Sequence, residues 1–230
     1  MTPFVFFEEV EFSFEDWTWP FAEQRRGEIE AYFRQQQANN PALWNGRLLL
    51  LHAPAIRNTV LTGRFFQTDY ASMLAALEWQ AMEDDVRACF PVAALLTSDE
   101  AFIVGEMAQY TRNAGQVLFP SGSIDMADVV HGKVDFLAAM QRELLEETGI
   151  GPEMLEPEHG WHASLQNAQA PIVKVLRSHE TADALQDRIL SNLAAQPRPE
   201  FCAVSAVRDL ADVGAPMPPW MQDFFRALWE

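Results

Sequence analysis

Cysteine is scarce in this chain, with two among 230 residues, Cys89 and Cys202. Neither stands in a CxxC spacing and nothing points to a disulfide, so both are expected to be buried free thiols in a reducing compartment. Basic residues are also few: 16 against 33 acidic, for a net charge of -17. Phosphate contacts supply most non-specific nucleic-acid affinity, and so acidic a chain repels them, which argues against DNA or RNA as a partner. No apolar run approaches the length of a membrane span. The N-terminal run from Met1 to Glu9 brings acids early and has no base before its apolar residues, unlike a signal peptide. The expectation is a cytoplasmic protein with no membrane partner. Internal repeats and low-complexity tracts are missing too.

What the chain does have is apolar residues, 49% of the total, with 16 Phe and 7 Trp, enough for a sizeable core. Residues 4 to 14 alternate like an edge or hairpin strand. Phe21 to Gln37 has the pattern of an amphipathic helix that buries Phe21, Ile29, Tyr32 and Phe33. Strands are expected at Arg47 to His52 and Val60 to Thr68, joined through Pro54 to Asn58, and a helix from Tyr70 to Met82. After Pro91 come strands at Val92 to Leu96, Phe102 to Val104 and Val117 to Phe119, then a loop to about Lys133. Phe136 to Thr148 is a helix that Gly149 stops. Strands at Trp161 to Leu165 and Ile172 to Leu176, a helix from Thr181 to Ala194, a strand at Phe201 to Val207 and a helix from Pro218 to Trp229 complete the chain. The interleaving lacks βαβ regularity, so the fold class is α/β of the α+β type, a mixed β-sheet between helices. Residues 1-88 read as an N-terminal α/β extension packed on the core of residues 89-230.

On the helix through Arg142, Glu143, Glu146 and Glu147 are three and four residues apart and share one stripe. Leu137, Met140 and Leu144 share another, suited to the core. Three close carboxylates repel one another unless they are solvated or a cation holds them. Hard ions such as Mg²⁺ take oxygen ligands, typically one or two carboxylates plus substrate phosphates. Acidic stripes on helices are commonly just solvated faces, and spacing alone leaves both readings open.

The string Arg142-Glu143-Leu144-Leu145-Glu146-Glu147-Thr148-Gly149-Ile150 resembles the second half of the Nudix box, whose family pattern is G-x5-E-x7-R-E-U-x-E-E-x-G-U with U aliphatic. Upstream, Phe119-Pro120-Ser121-Gly122 looks like the strand and Pro-Gly-Gly start of that family's catalytic loop. The first half departs: the first Gly of the pattern falls on Asp128 and its first Glu on Val134, with Asp135 beside it as a partial replacement. If Gly122 is the loop glycine, the loop is longer than the family's. The resemblance implies a Nudix fold and a diphosphatase. Glu143, Glu146 and Glu147 would bind Mg²⁺ (or Mn²⁺) and serve catalysis together with Arg142, and Gly122 would lie at the ligand. It further implies a small nucleotide-like substrate, a nucleoside diphosphate linked to another moiety. Trp44-Asn45-Gly46-Arg47 before an apolar strand is similar to Nudix enzymes that split UDP-sugars, and the long loop to branches acting on CoA derivatives. The departures also admit a catalytically inactive sensor. A homodimer through the N-terminal strand and helix is compatible with the pattern.

Other residues are read more plainly. Glu200 is expected as a surface acid flanking a strand rather than a further ligand or base. His52, His131, His159, His162 and His179 are placed at loops and strand ends, since no pair has helical metal-ligand spacing. Arg112, Lys133 and Lys174 are the bases nearest the site in sequence, with surface positions expected for each. Trp44, Trp79, Trp161 and Trp220 are assigned to the core. Ser121 and Ser123 lack a G-x-S-x-G elbow, so a serine nucleophile is not expected.

Overall fold

Leu48, Leu49, Leu50 and Leu51 are all buried, although neighbours on a strand point to opposite faces. Their strand is covered on both sides. Leu49 and Leu51 join a core with Phe65, Phe136 and Leu144, while Leu48 and Leu50 join another with Phe33, Phe66 and Leu74. The computed structural model describes residues 4-230; Met1, Thr2 and Pro3, the start of the run compared with a signal peptide, lie outside the described residues.

The first part of the chain comprises β1 (Val5–Phe7), β2 (Glu9–Phe14), α1 (Pro20–Gln24), α2 (Arg26–Asn39), β3 (Arg47–Arg57), β4 (Val60–Asp69) and α3 (Tyr70–Glu78). Next come β5 (Val86–Leu96), β6 (Phe102–Met107), β7 (Val117–Leu118), β8 (Val129–Val130), β9 (Lys133–Val134) and α4 (Phe136–Thr148). The last part holds β10 (Leu155–Pro157), β11 (Trp161–Ala163), β12 (Gln169–Ser178), α5 (Ala182–Ala195), β13 (Phe201–Val207) and α6 (Pro219–Trp229).

The strands form one mixed sheet whose main path runs β1-β11-β12-β5-β3-β4-β2-β9-β8. β5 is its branch point. It pairs in parallel with β12, antiparallel with β3 at Val86 and Arg87, and antiparallel with β6 at Leu95 and Leu96. β5, too, is covered on both faces. Ala93 and Leu95 face the core under α4 and α5, and Val92 and Ala94 face a third core closed by Phe224 and Phe225 of α6. The border drawn at residues 88 and 89 falls inside β5, so the first part of the chain continues the same sheet. Among the described residues no helix is long and apolar enough to cross a membrane.

Several elements differ from the sequence reading, each for a local reason. The Phe21 to Gln37 helix is two, broken at Arg25, whose φ of -111° is not helical. Pro54 to Asn58 is not a connector: β3 runs through it after a bulge between His52 and Ala55, and the turn sits at Asn58, with φ 56°. The long loop contains the β8–β9 hairpin, turned by His131 and Gly132 at positive φ. Cys89 is buried but Cys202 is exposed, because the register shift between Phe201 and Ala203 turns it out of the β13–β6 ladder. Lys174 is not at the surface; it is 8% exposed, donates to the Gly160 carbonyl at 2.8 Å and lies over the Trp161 ring.

Candidate active site

The site begins with the segment after β7. Phe119 is fully buried against Phe225 and anchors the turn at Pro120, Ser121 and Gly122. The Ala93 N–H donates to the Pro120 carbonyl at 2.9 Å, and Ser121 bridges to Val92. The turn is thereby fastened to β5. It faces α4, which starts at Asp135, whose carboxylate accepts from the Ala138 N–H at 3.0 Å. The helix ends at Gly149 with φ 75°, the left-handed conformation that glycine adopts without strain. Met140 and Leu144 are buried, and the adjoining stripe, Glu143, Glu146 and Glu147, runs along the side of the helix next to them.

The three carboxylates differ in surroundings. Glu147 is buried and accepts from the Ser121 N–H at 2.9 Å. Glu143 is half-buried and takes Nη1 of Arg142 at 2.6 Å. Glu146 is exposed, with Arg142 Nη1 at 4.0 Å. Gly122 has no room for a side chain: a Cβ there would stand 1.9 Å from the Glu143 carboxyl carbon. Only a glycine lets the loop backbone come this close to Glu143.

Besides the two helix acids, Arg142 meets a third from the loop. Its Nη2 reaches Asp128 Oδ2 at 3.1 Å. Asp128 is buried and also accepts from the Asp125 N–H at 3.0 Å. The carboxylate that meets Arg142 from the loop is therefore Asp128 and not Asp135, whose side chain is spent on the helix N-terminus. Burial works against the Arg142 charge, but Glu143 and Asp128 outweigh it and hold the guanidinium protonated above its ordinary range.

The Glu143 carboxyl is raised to about 7, chiefly by burial and further by Glu146 and Glu200, against the pull of Arg142. Burial also lifts Glu147 well above its ordinary value, with Glu200, Glu143 and Glu146 adding repulsion against the Ser121 hydrogen bond. Glu200 is raised by partial loss of hydration and by Glu146. It is not simply a surface acid: its edge is exposed, yet it lines the same cleft as Glu143 and Glu147. The sequence placed it beside β13 but carried no signal for its approach to α4.

A divalent cation fits this donor set. The groups are carboxylate oxygens, desolvated and mutually repelling, and a hard cation relieves both penalties. Glu143 is turned to Arg142 and Glu147 to Ser121, and among the described residues no three Asp, Glu, His or Cys side chains are already drawn together as a metal-binding group.

Glu143, Glu147 and Glu200 open on a cleft of about 580 Å³, which Glu146 does not line. Its other walls come from the first part of the chain, including Trp44, Leu48 and Tyr70, and from Tyr110 and Arg112 after β6. Trp44 is not in the core; it precedes β3 and is 78% exposed. Lys133 is exposed on β9, and neither it nor Lys174 lines the cleft, whereas Arg112 does.

The family model described as NUDIX domain matches residues 88-228. No curated protein has a sequence similar enough to match this chain. Among solved structures, the chain is similar to the MutT protein from Methanosarcina mazei Go1, at 19% identity over 61% of this chain and 91% of that one, with a TM-score of 0.40. The Nudix hydrolase RenU from M. Smegmatis is 14% identical over 62% and 82%, with a TM-score of 0.41. A protein from Deinococcus radiodurans is 14% identical over 80% and 100%, with a TM-score of 0.46.

Proposed function

Because this chain belongs to the Nudix hydrolase family, we propose that it hydrolyses a diphosphate linkage in a small nucleotide-like molecule, a nucleoside diphosphate joined to another moiety such as a sugar or a CoA-type group. Glu143, Glu146 and Glu147 would hold Mg²⁺, or Mn²⁺ in its place. The observation that carries this reading is the convergence of Glu143 and Glu147 with Glu200 at one cleft, against a loop backbone that Gly122 leaves bare.

A divalent cation held there would supply charge neutralisation for the diphosphate and would make water a better nucleophile at neutral pH. The chain supplies the positioning. The Ser121 N–H fixes the rotamer of Glu147, and Arg142 fixes Glu143 while Asp128 fixes Arg142. Glu200, outside the helix and raised above the usual carboxylate range by desolvation and by Glu146, lines the same cleft and is suited to accept the proton of the attacking water. The apolar cleft walls limit water around the linkage, so that fixed charges act more strongly than in bulk solvent.

The test is incubation of the purified chain with nucleotide sugars, CoA derivatives, dinucleotides and nucleoside triphosphates, with Mg²⁺, Mn²⁺ or EDTA, and identification of products by mass. Metal-dependent cleavage within a diphosphate is expected. Loss of groups around a metal ligand commonly costs roughly 10–100-fold, and Glu147→Gln should cost at least as much. Unchanged turnover in both Glu146→Gln and Glu147→Gln would place the site elsewhere. Silence across the whole panel, with a control enzyme active, would favour the sensor reading.

A further inference from the structure

The wall of the cleft beyond the carboxylates has a chemistry of its own. Trp44 is 78% exposed, the most of any large apolar side chain among the described residues. An indole left in water in a chain that buries most of its aromatics is informative, because its burial is deferred. The ring leans on Gly46, where a Cβ would come within 2.5 Å of it, so the missing side chain seats the indole at the cleft.

In the same cleft, the Arg198 guanidinium lies 4.2 Å from the centre of the Tyr110 ring. The Tyr110 hydroxyl donates to the Pro199 carbonyl, and the Tyr110 carbonyl accepts from Asn40 Nδ2 at 3.4 Å. These bonds tie the segment bearing Tyr110 and Arg112 both to the approach to β13 and to the end of α2. All four side chains, Trp44, Tyr110, Arg112 and Arg198, line the one cleft. In a chain with 33 acids and 16 bases, Arg142, Arg177 and Arg188 are all ion-paired. Arg112 and Arg198 are exposed and, among the described residues, neither forms an ion pair with a carboxylate within 4 Å. Two guanidiniums without an ion pair, lining the same cleft as an open indole, are complementary to a ligand that is planar, aromatic and anionic.

We propose that this wall is the recognition subsite for the nucleoside half of the substrate: a planar aromatic ring stacks on Trp44, and an anionic group attached to that half is held by Arg112 and Arg198. Assignment of the ring to the nucleoside half rests on the diphosphatase reading above. Stacking gives tolerance for the identity of the base, and the guanidiniums give the requirement for negative charge.

The test is calorimetric titration of the full chain with AMP, adenosine and inorganic pyrophosphate in EDTA, so that no metal and no bond cleavage contribute. AMP is expected to bind more tightly than either of the others. Trp44→Ala should weaken AMP and adenosine by about tenfold, the scale of one base–aromatic stack. The double variant Arg112→Ala/Arg198→Ala should weaken AMP by about tenfold and leave adenosine unchanged. Circular dichroism and thermal unfolding verify that the variants remain folded. AMP affinity unchanged in folded Trp44→Ala, or no AMP binding to the parent chain at millimolar concentration, overturns the proposal. AMP binding through Trp44 with no cleavage of any substrate retains the subsite and sinks the hydrolase reading. Cleavage with AMP affinity indifferent to Trp44 does the reverse.

Discussion

Gly122 and Glu143 meet through the absence of a single carbon atom, since a Cβ on Gly122 would overlap the Glu143 carboxyl. Gly122→Ala should therefore leave the fold in place but push Glu143 off its position beside Arg142. Displacements near 1 Å at a reacting centre cost up to roughly a hundredfold. The expected result on a confirmed substrate is a kcat lowered by about that factor, with a thermal midpoint within a few degrees of the parent. A variant with full kcat would show that the loop and Glu143 do not act together. The Arg142–Asp128 pair belongs to the same scale. The family pattern has a Glu where Val134 stands, and Val134 is buried, yet a carboxylate still reaches Arg142 from elsewhere in the loop. A pattern matched position by position misses such a substitution, because what the guanidinium needs is an oxygen at the right place in space, not at the right place in the chain.

Helix termini make predictions at the scale of the element. Asp135 caps α4, and Asp135→Ala should lower stability by about 1 kcal/mol, read from chemical denaturation. Asp99, in the turn between β5 and β6, accepts from the Thr97 hydroxyl, from the Ala182 N–H at the start of α5 and from Arg208. Led by the Thr97 hydrogen bond, these contacts lower its carboxyl from 3.8 to about 2. A carboxyl depressed on folding contributes stability that is fully present above the unfolded value and is lost as pH falls through the folded one. Asp99→Asn should thus be less stable than the parent above about pH 4, and the difference should shrink as the pH approaches 2. Thermal midpoints of both proteins across that range check it; a gap that widens on acidification would contradict the assignment.

At the scale of the whole molecule, β3 and β5 bind the cores together, because alternate residues of each strand belong to different cores. A strand buried on both faces cannot lose one partner layer without exposing apolar surface on that side. Calorimetry should accordingly show a single unfolding transition, and Leu50→Ala, which empties space beneath α2 and α3, should shift that whole transition by about 2–5 kcal/mol. Two resolved transitions, with only one moved by the substitution, would mean that residues 1-88 unfold as a separate body.

The sequence by itself determined α4 from Phe136 to Thr148, its stop at Gly149, the carboxylate stripe distinct from the Met140 and Leu144 face, the span of β13 and the family. These rest on local relations: a 3.6-residue period, a left-handed cap, a strand's alternation, a contiguous motif. The tertiary structure alone decided that Glu200 reaches the helix carboxylates, that Asp128 takes Arg142, that Trp44 stands open at the cleft, and that β5 joins the first part of the chain to the rest. Each depends on which elements pack side by side. Burial, ion pairing and repulsion between carboxylates are set by separation in space, and no periodicity along the chain records that separation for residues brought together from different elements.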